Sequence, residues 1–314
     1  MVLFSTKAQA WLEGMKNDAG TEYGRLKPST YRTLASQVRL HLIPRFKNHA
    51  IADIGDTEVD ELISGLAEMG RSKSTIKSIL LSLGMVLGRR IDSRARLKAL
   101  KVLTPKKSRD VLWFTMDEMR RIVAASTGRY KVLFAVAAGT RCRAGEIYGL
   151  RVEDVNLDRG FVVVKRSVWE GSEQSPKTEN AYRTVGIDAG LAQMLRDWIG
   201  ERKTGLLFPS EIGTPLRNNA VLEYGLHPVL KTLGISQRGM HAFRHGRVSM
   251  LVEAGVPIHT IKSWMGHGSE KMVEQYTHFR PEYHAGALAL VPSVVLNCHQ
   301  SPPNFQKEMA VSAA

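Results

Sequence analysis

The first 96 residues most limit the fold, because apolar side chains return every three or four positions through four successive segments. This spacing gathers them on one face of an α-helix. We predict helices near 6–17, 29–42, 57–69 and 74–91. Pro28 and Ser29 are typical of a helix start, and Pro44 is predicted to stop the second segment. Residues 1–96 are therefore predicted to form a small all-helical domain.

A run of basic residues follows these segments. Between Arg89 and Arg109 the chain has nine basic residues and one acid, Asp92. The basic residues are Arg89, Arg90, Arg94, Arg96, Lys98, Lys101, Lys106, Lys107 and Arg109. Such a run is either a solvated charged surface or a binding surface for a polyanion. We predict that residues 97–112 are an interdomain linker.

The remaining sequence mixes helical and strand patterns. Thr115 and Glu118 form a predicted capping box that begins a second domain. Short apolar runs predict strands at 161–164 and 183–187. Predicted helices lie near 116–126, 129–138, 189–201, 218–232, 241–254, 257–264 and 270–276. The prediction is a mainly α protein with a small antiparallel β-sheet, an α+β domain over 113–290, and a mobile polar tail over 291–314.

The amino-acid composition indicates what kind of partner the chain binds. The chain has 44 Lys and Arg against 30 Asp and Glu, a net charge of +14, which favours a polyanionic partner. No apolar run approaches the roughly 20 residues that span a bilayer, and no secretory leader is predicted. The two cysteines, Cys142 and Cys298, are far apart, so we expect no disulfide and a cytoplasmic location.

Six residues have the chemistry to break a phosphodiester bond. A tyrosine hydroxyl has a pKa of about 10 and is a poor nucleophile unless cations make the phosphate electrophilic. Arginine suits this task, because its planar fork donates two hydrogen bonds and keeps its charge. The six candidates are Arg143, Lys177, His241, Arg244, His267 and Tyr276.

The strings that contain these residues resemble the tyrosine recombinase, or phage integrase, family. The family pattern Thr-Gly-Leu-Arg-x-x-Glu falls on residues 140–146, with Arg141 at the usual glycine position. The run His241–Arg244 resembles another family motif, as does Gly266-His267 with Tyr276 nine residues beyond. The resemblance implies a helical core-binding (SAM-like) domain and a tyrosine recombinase catalytic domain.

Several positions have rivals. Arg143 is preferred to Arg141 by the family spacing, and Lys177 to Lys165 by its match to the family's hairpin lysine. Tyr276 is preferred because Tyr283 follows Pro281, where a helix should have ended.

Two further side chains bear on this site. Glu146 either orients Arg143 from behind or forms a plain ion pair three residues along the helix. His241 and His245 have a spacing that can bind zinc, but no third ligand is evident and Arg244 would repel a cation. We predict no metal and no cofactor.

The resemblance implies a site-specific recombinase. Tyr276 would attack a DNA phosphate to form a 3′-phosphotyrosyl bond, and Lys177 would protonate the leaving 5′ oxygen. The nine basic residues of the run would contact double-stranded DNA. A monomer would assemble on attachment-type sites as a homo-tetramer and exchange strands through a Holliday junction, with a DNA-bending or excision protein as a possible accessory. Phage integration and excision is the expected role; a type IB topoisomerase-like enzyme and a non-catalytic DNA-binding regulator are the alternatives.

Overall fold

The computed structural model describes residues 2–20, 26–100, 113–174, 182–257 and 259–261. The chain divides into two compact units, Met1–Asp110 and Val111–Ala314. The first is helical, and the second combines helices with short antiparallel strands. The predicted fold class, mainly α with a small antiparallel sheet, is confirmed. The exact domain boundaries stay a prediction.

The helical unit contains all four predicted helical segments and one helix that was not predicted. Its α-helices are α1 (Phe4–Gly20), α2 (Pro28–Gln37), α3 (Ile43–Phe46), α4 (Asp56–Glu68), α5 (Lys73–Leu87) and α6 (Ser93–Ala99). The unpredicted α6 lies in the basic run, where charge hides the helical pattern. Asp92 caps its start by accepting from the N–H groups of Arg94 and Ala95, and its Leu97 is buried in the core of the unit.

The prediction that Pro44 stops the second helical segment was wrong. The chain stays helical through a π-helical turn, Val38–Leu42, and continues as α3. Proline lacks an N–H group and its ring clashes with the carbonyl four residues before it in a regular α-helix. The wider turn, in which Ile43 donates to the Val38 carbonyl, gives the ring space.

A π-helical turn also precedes a proline in the second unit, where a single helix over 218–232 was predicted. The structure has α11 (Asn218–Ala220), a π-helical stretch Val221–Leu226, and α12 (His227–Thr232). Pro228 lies at the start of α12, directly after the π-helical stretch. A period of three or four residues does not distinguish this arrangement from one continuous helix.

The second unit packs helices around a small sheet. Its other helices are α7 (Met116–Ala125), α8 (Gly128–Gly139), α9 (Ala144–Tyr148), α10 (Ala189–Ile199) and α13 (His241–Glu253). The strands are β1 (Val155–Asn156), β2 (Phe161–Val164), β3 (Ser167–Trp169), β4 (Ser172–Gln174) and β5 (Arg183–Gly186). They form an antiparallel sheet in the order β1-β2-β5 and a β3-β4 hairpin.

Helix α13 runs through the core of this unit. Phe243 stacks on Phe134 of α8, with ring centroids 5.7 Å apart, and lies 4.7 Å from Phe114. The Phe114 N–H also donates to the Ala242 carbonyl at 3.2 Å. The first turns of α13 are therefore fixed by aromatic packing on one side. His241 and Arg244 begin this helix, so its packing sets their position.

Gly246 allows α13 to approach the chain before α7, and we expect Gly246→Ala to destabilise the protein. An added Cβ would overlap the Phe114 carbonyl and lie 2.5 Å from the Met119 methyl carbon. Overpacking of this kind costs about 1–3 kcal/mol. Urea unfolding should show a lower midpoint. Gly190→Ala on α10, whose nearest contact is Asp188 Oδ1 at 3.4 Å, is the matched control and should stay within about 1 kcal/mol of wild type. Equal midpoints for the two variants would contradict the close packing.

Candidate active site

Arg143 caps the beginning of α9 from the loop that follows α8. Its backbone N–H donates to Glu146 Oε2 and its Nη1 donates to Glu146 Oε1, both at 2.7 Å. The Arg143 side chain is one-third exposed. The guanidinium is thus held by Glu146 through Nη1, while part of the side chain reaches the surface.

Helix α9 is held close to the β3-β4 hairpin. A Cβ at Gly145 would lie 2.5 Å from the Val168 carbonyl and 2.6 Å from Ser167 Oγ, so only glycine fits. This contact fixes the first turn of α9, and with it Arg143, against a strand.

Glu146 is buried, with a side chain 7% exposed, and has a second arginine partner. Arg183 of β5 donates from Nη1 to Oε1 at 3.1 Å and from Nη2 to Oε2 at 2.6 Å. Burial acts to raise the pKa of Glu146, but the hydrogen bonds and charges of Arg183 and Arg143 outweigh it and lower the pKa to about 2. Glu146 is therefore ionised throughout the neutral range.

Arg244 lies on the first turn of α13 and is 5% exposed. Its Nη1 donates to the carbonyl oxygen of Arg141. Burial and the nearby charge of Arg143 lower the pKa of Arg244 to about 10, while Glu146 acts to raise it. Arg244 stays charged at neutral pH, and an anion bound beside it and Arg143 would offset the unfavourable burial.

Arg141 occupies the position where the family pattern has glycine. The residue is buried, 7% exposed, and burial together with the charges of Arg247 and Arg183 lowers its pKa, while Cys142 acts to raise it. Among the described residues only Glu170 and glycines have positive φ, so the Arg141 backbone carries no left-handed strain. An arginine is tolerated here because its carbonyl, which any residue could supply, holds Arg244.

His241 precedes Arg244 by one turn of α13. Burial and the charges of Arg244 and Arg143 lower the pKa of His241, while Glu146 acts to raise it. Its ring centroid is 6.4 Å from that of His245. No group of three potential metal ligands is found in the described part of the chain. Four of the predicted residues, Arg143, Glu146, His241 and Arg244, thus share one electrostatic environment.

Lys165, the rival of Lys177, is engaged elsewhere. Its Nζ lies 3.1 Å from Oδ1 of Asp154, whose side chain is fully buried. Arg166 pairs with the other oxygen of the same carboxylate. Lys177 falls between β4 and β5 in the sequence but lies outside the described residues, as do His267, Tyr276 and Tyr283. Their roles stay predictions.

The basic run divides into two groups. Arg90, Arg94 and Lys98 are exposed. Arg96 instead forms ion pairs with Asp56 and Asp60 of α4, which raise its pKa against the effect of burial, and Arg89 donates to the Ile54 carbonyl. The other members, Lys101, Lys106, Lys107 and Arg109, lie outside the described residues. Contact of this run with DNA stays a prediction.

Arg183 is the site residue that the sequence reading missed. It was placed on a predicted strand without a role. In a strand, residues two apart share a face, so Arg183 lies on the same side as Val185, which is fully buried. A buried arginine needs a partner that offsets its charge, so the strand pattern indicates that Arg183 is paired but not with which residue.

Comparison with known proteins shows the family of this chain. The model of the "Phage integrase family" matches residues 112–282, and the model of the "Phage integrase, N-terminal SAM-like domain" matches residues 3–67. The chain therefore belongs to the phage integrase family. Among its relatives are tyrosine recombinases and integrases.

Two relatives and two solved structures illustrate the likeness. The chain is 26% identical over 277 residues to a "Tyrosine recombinase XerC-like" of Caldanaerobacter subterraneus subsp. tengcongensis, covering 76% of this chain and 71% of that protein. It is 25% identical over 284 residues to the ICEBs1 integrase of Bacillus subtilis, covering 81% and 75%.

The structural likeness extends over most of the chain. The Tn1549 transposon integrase bound to transposon right end DNA has a TM-score of 0.74 at 17% identity, covering 91% of this chain and 99% of that one. A lambda integrase dimer bound to a core site has a TM-score of 0.59 at 18% identity, covering 85% and 76%. At these identities the likeness shows the fold. None of the helices within the described ranges combines the length and apolar composition needed to cross a bilayer.

Proposed function

We propose that this protein is a site-specific DNA recombinase that cleaves and rejoins DNA through a 3′-phosphotyrosyl intermediate. The observation that carries the proposal is that the charged side chains of Arg143 and Arg244 lie near the imidazole of His241 and the ionised Glu146. Family membership supports the same reaction class. Two guanidinium groups supply the positive charge and the hydrogen-bond donors that a phosphate needs.

The chemistry follows from those charges. Arg143 and Arg244 donate to the two non-bridging oxygens of the scissile phosphate and stabilise the negative charge that grows in the transition state. Tyr276 Oη releases its proton to solvent and attacks phosphorus, so a P–O bond to tyrosine forms as the bond to the 5′ oxygen breaks. Lys177 gives that oxygen a proton, and His241 and His267 donate to the phosphate. The phosphoester is conserved, so religation is the reverse reaction and needs no ATP.

We also propose, from membership of this family, how the protein assembles on DNA. The helical unit and the catalytic unit bind a DNA duplex together, joined by the basic run, and four protomers on two attachment-type sites exchange strands through a Holliday junction. Integration and excision of a phage or other mobile element is the role that the named integrase relatives favour.

A nicked suicide substrate tests the function. DNA spanning the junctions between host and element is nicked near the cleavage site, so that the short 5′-hydroxyl fragment is lost and the adduct is trapped. We expect a protease-sensitive, slowly migrating band on a denaturing gel. Tight binding without that band would favour the regulator and overturn the proposal. Relaxation of supercoiled DNA that lacks a junction would favour the topoisomerase-like enzyme.

A further inference from the structure

We infer that Arg183 is a positioning residue, which sets the orientation of Arg143 by holding both oxygens of Glu146 from behind. The inference rests on the proposed function, because the orientation matters only if Arg143 binds the scissile phosphate. It assigns a role in the reaction to a side chain of β5 that does not itself touch the DNA.

Each carboxylate oxygen of Glu146 accepts two hydrogen bonds. Oε1 accepts from Arg143 Nη1 at 2.7 Å and from Arg183 Nη1 at 3.1 Å. Oε2 accepts from the Arg143 backbone N–H at 2.7 Å and from Arg183 Nη2 at 2.6 Å. The carboxylate therefore receives four donors, two from each arginine. A carboxylate held at both oxygens by a planar guanidinium cannot rotate, so the direction in which it holds Arg143 is fixed.

The two arginines that hold Glu146 differ in the exposure of their side chains. The side chain of Arg183 is 7% exposed, while that of Arg143 is 33% exposed. The buried arginine is anchored by β5, which pairs with β2 through four residue pairs. Both terminal nitrogens of Arg183 donate to Glu146, so Arg183 serves the carboxylate, while Arg143 has exposed surface for a phosphate. Glu146 thus transmits the rigidity of the sheet to a side chain at the surface of the site.

Arg183 also stabilises the ionised form of Glu146. Glu146 is buried enough that its charged form is unfavourable without a cation, and Arg183 supplies the largest opposing effect. Without Arg183, burial would be opposed mainly by Arg143, so the pKa of Glu146 would be higher than in the wild type. A protonated Glu146 would lose its charge-assisted bond to Arg143. Arg183 therefore keeps the orienting carboxylate ionised at the pH at which the enzyme works.

The test measures single-turnover cleavage of the suicide substrate by Arg183→Gln at several pH values. We expect cleavage about 10- to 100-fold slower than wild type, because small misplacement of a catalytic group costs this much. DNA affinity should change by less than about threefold, since one interaction beyond the DNA surface is lost. The deficit relative to wild type should widen as the pH falls from about 8 to about 5.5, as Glu146 becomes protonated.

Two further variants separate orientation from simple stability. The double variant Glu146→Gln/Arg183→Gln lacks the carboxylate that would be protonated. Its cleavage should still be slower than that of wild type, but the ratio of the two rates should not depend on pH. Arg183→Lys keeps the charge but not the two-pronged geometry, so it should be slower than wild type with a deficit that is independent of pH. Because Arg183→Lys retains the ion pair, it carries the test if Arg183→Gln does not fold.

Arg166→Gln is the matched control. It removes another largely buried arginine–carboxylate pair of the same unit, but its partner Asp154 keeps Lys165 nearby. We expect a lower unfolding temperature and a cleavage ratio to wild type that does not vary with pH. The control therefore shows what loss of stability alone does.

The outcomes are distinct. No adduct with the wild-type protein would overturn the proposed function, and this inference with it. A wild-type adduct together with Arg183→Gln and Arg183→Lys cleavage within about threefold of wild type would overturn the inference alone. A deficit in Arg183→Gln that is equal at every pH would also overturn it, because Arg183 would then act independently of the charge on Glu146.

Discussion

Tyr276→Phe is expected to abolish the covalent adduct completely while leaving DNA binding intact. Phenylalanine keeps the aromatic ring but lacks the hydroxyl that is proposed to attack phosphorus. The cationic cluster remains, so affinity for the phosphate remains. The measurements are adduct formation on the suicide substrate and a gel-shift titration at fixed salt.

Tyr283→Phe is the matched control for this prediction, because it makes the same change seven residues further along the chain. Its adduct should form at a rate close to that of wild type. Adduct formation by Tyr276→Phe, or its loss in Tyr283→Phe alone, would show that the nucleophile had been assigned to the wrong tyrosine.

Arg244→Lys is expected to slow cleavage by about 10²- to 10³-fold, the usual loss when one fixed donor to a developing charge is removed. Lysine keeps the charge but cannot bond to the Arg141 carbonyl and to a phosphate oxygen with one rigid fork. The buried ammonium would also be poorly solvated, since Arg244 is 5% exposed. The measurement is single-turnover cleavage at saturating protein.

Arg247→Lys, one turn further along α13, controls for this substitution on the same helix. Its cleavage rate should remain within about threefold of wild type, because the change falls outside the phosphate-binding cluster. If Arg244→Lys cleaves as fast as Arg247→Lys, Arg244 does not stabilise the transition state.

The helices were predictable where an apolar face repeats, and the errors have physical causes. Pro44 and Pro228 were each accommodated by a preceding π-helical turn, which depends on the packing around it. Helix α6 was missed because only Leu97 among its residues is buried. Periodicity reports burial on one face, so a short helix with a single buried residue gives almost no signal.

Motif spacing and the family resemblance named the candidate site residues but not the contacts that hold them. In the structure the charges of Arg143 and Arg244 act on His241, and the assignment of these residues to a phosphate site stays a prediction. The question left open for Glu146 is answered in part: it does form an ion pair with Arg143, and it is also fixed by Arg183. That second pairing joins residues 37 positions apart, which no local pattern contains. The roles of Lys177, His267 and Tyr276 remain predictions of the family resemblance.

The most direct test of the central claim is a crystal structure of the wild-type protein trapped on its suicide substrate. We expect a phosphate bonded to Tyr276 Oη, with guanidinium nitrogens of Arg143 and Arg244 each about 3 Å from a non-bridging oxygen. A phosphate bonded to any other residue, or one that neither guanidinium contacts, would contradict it.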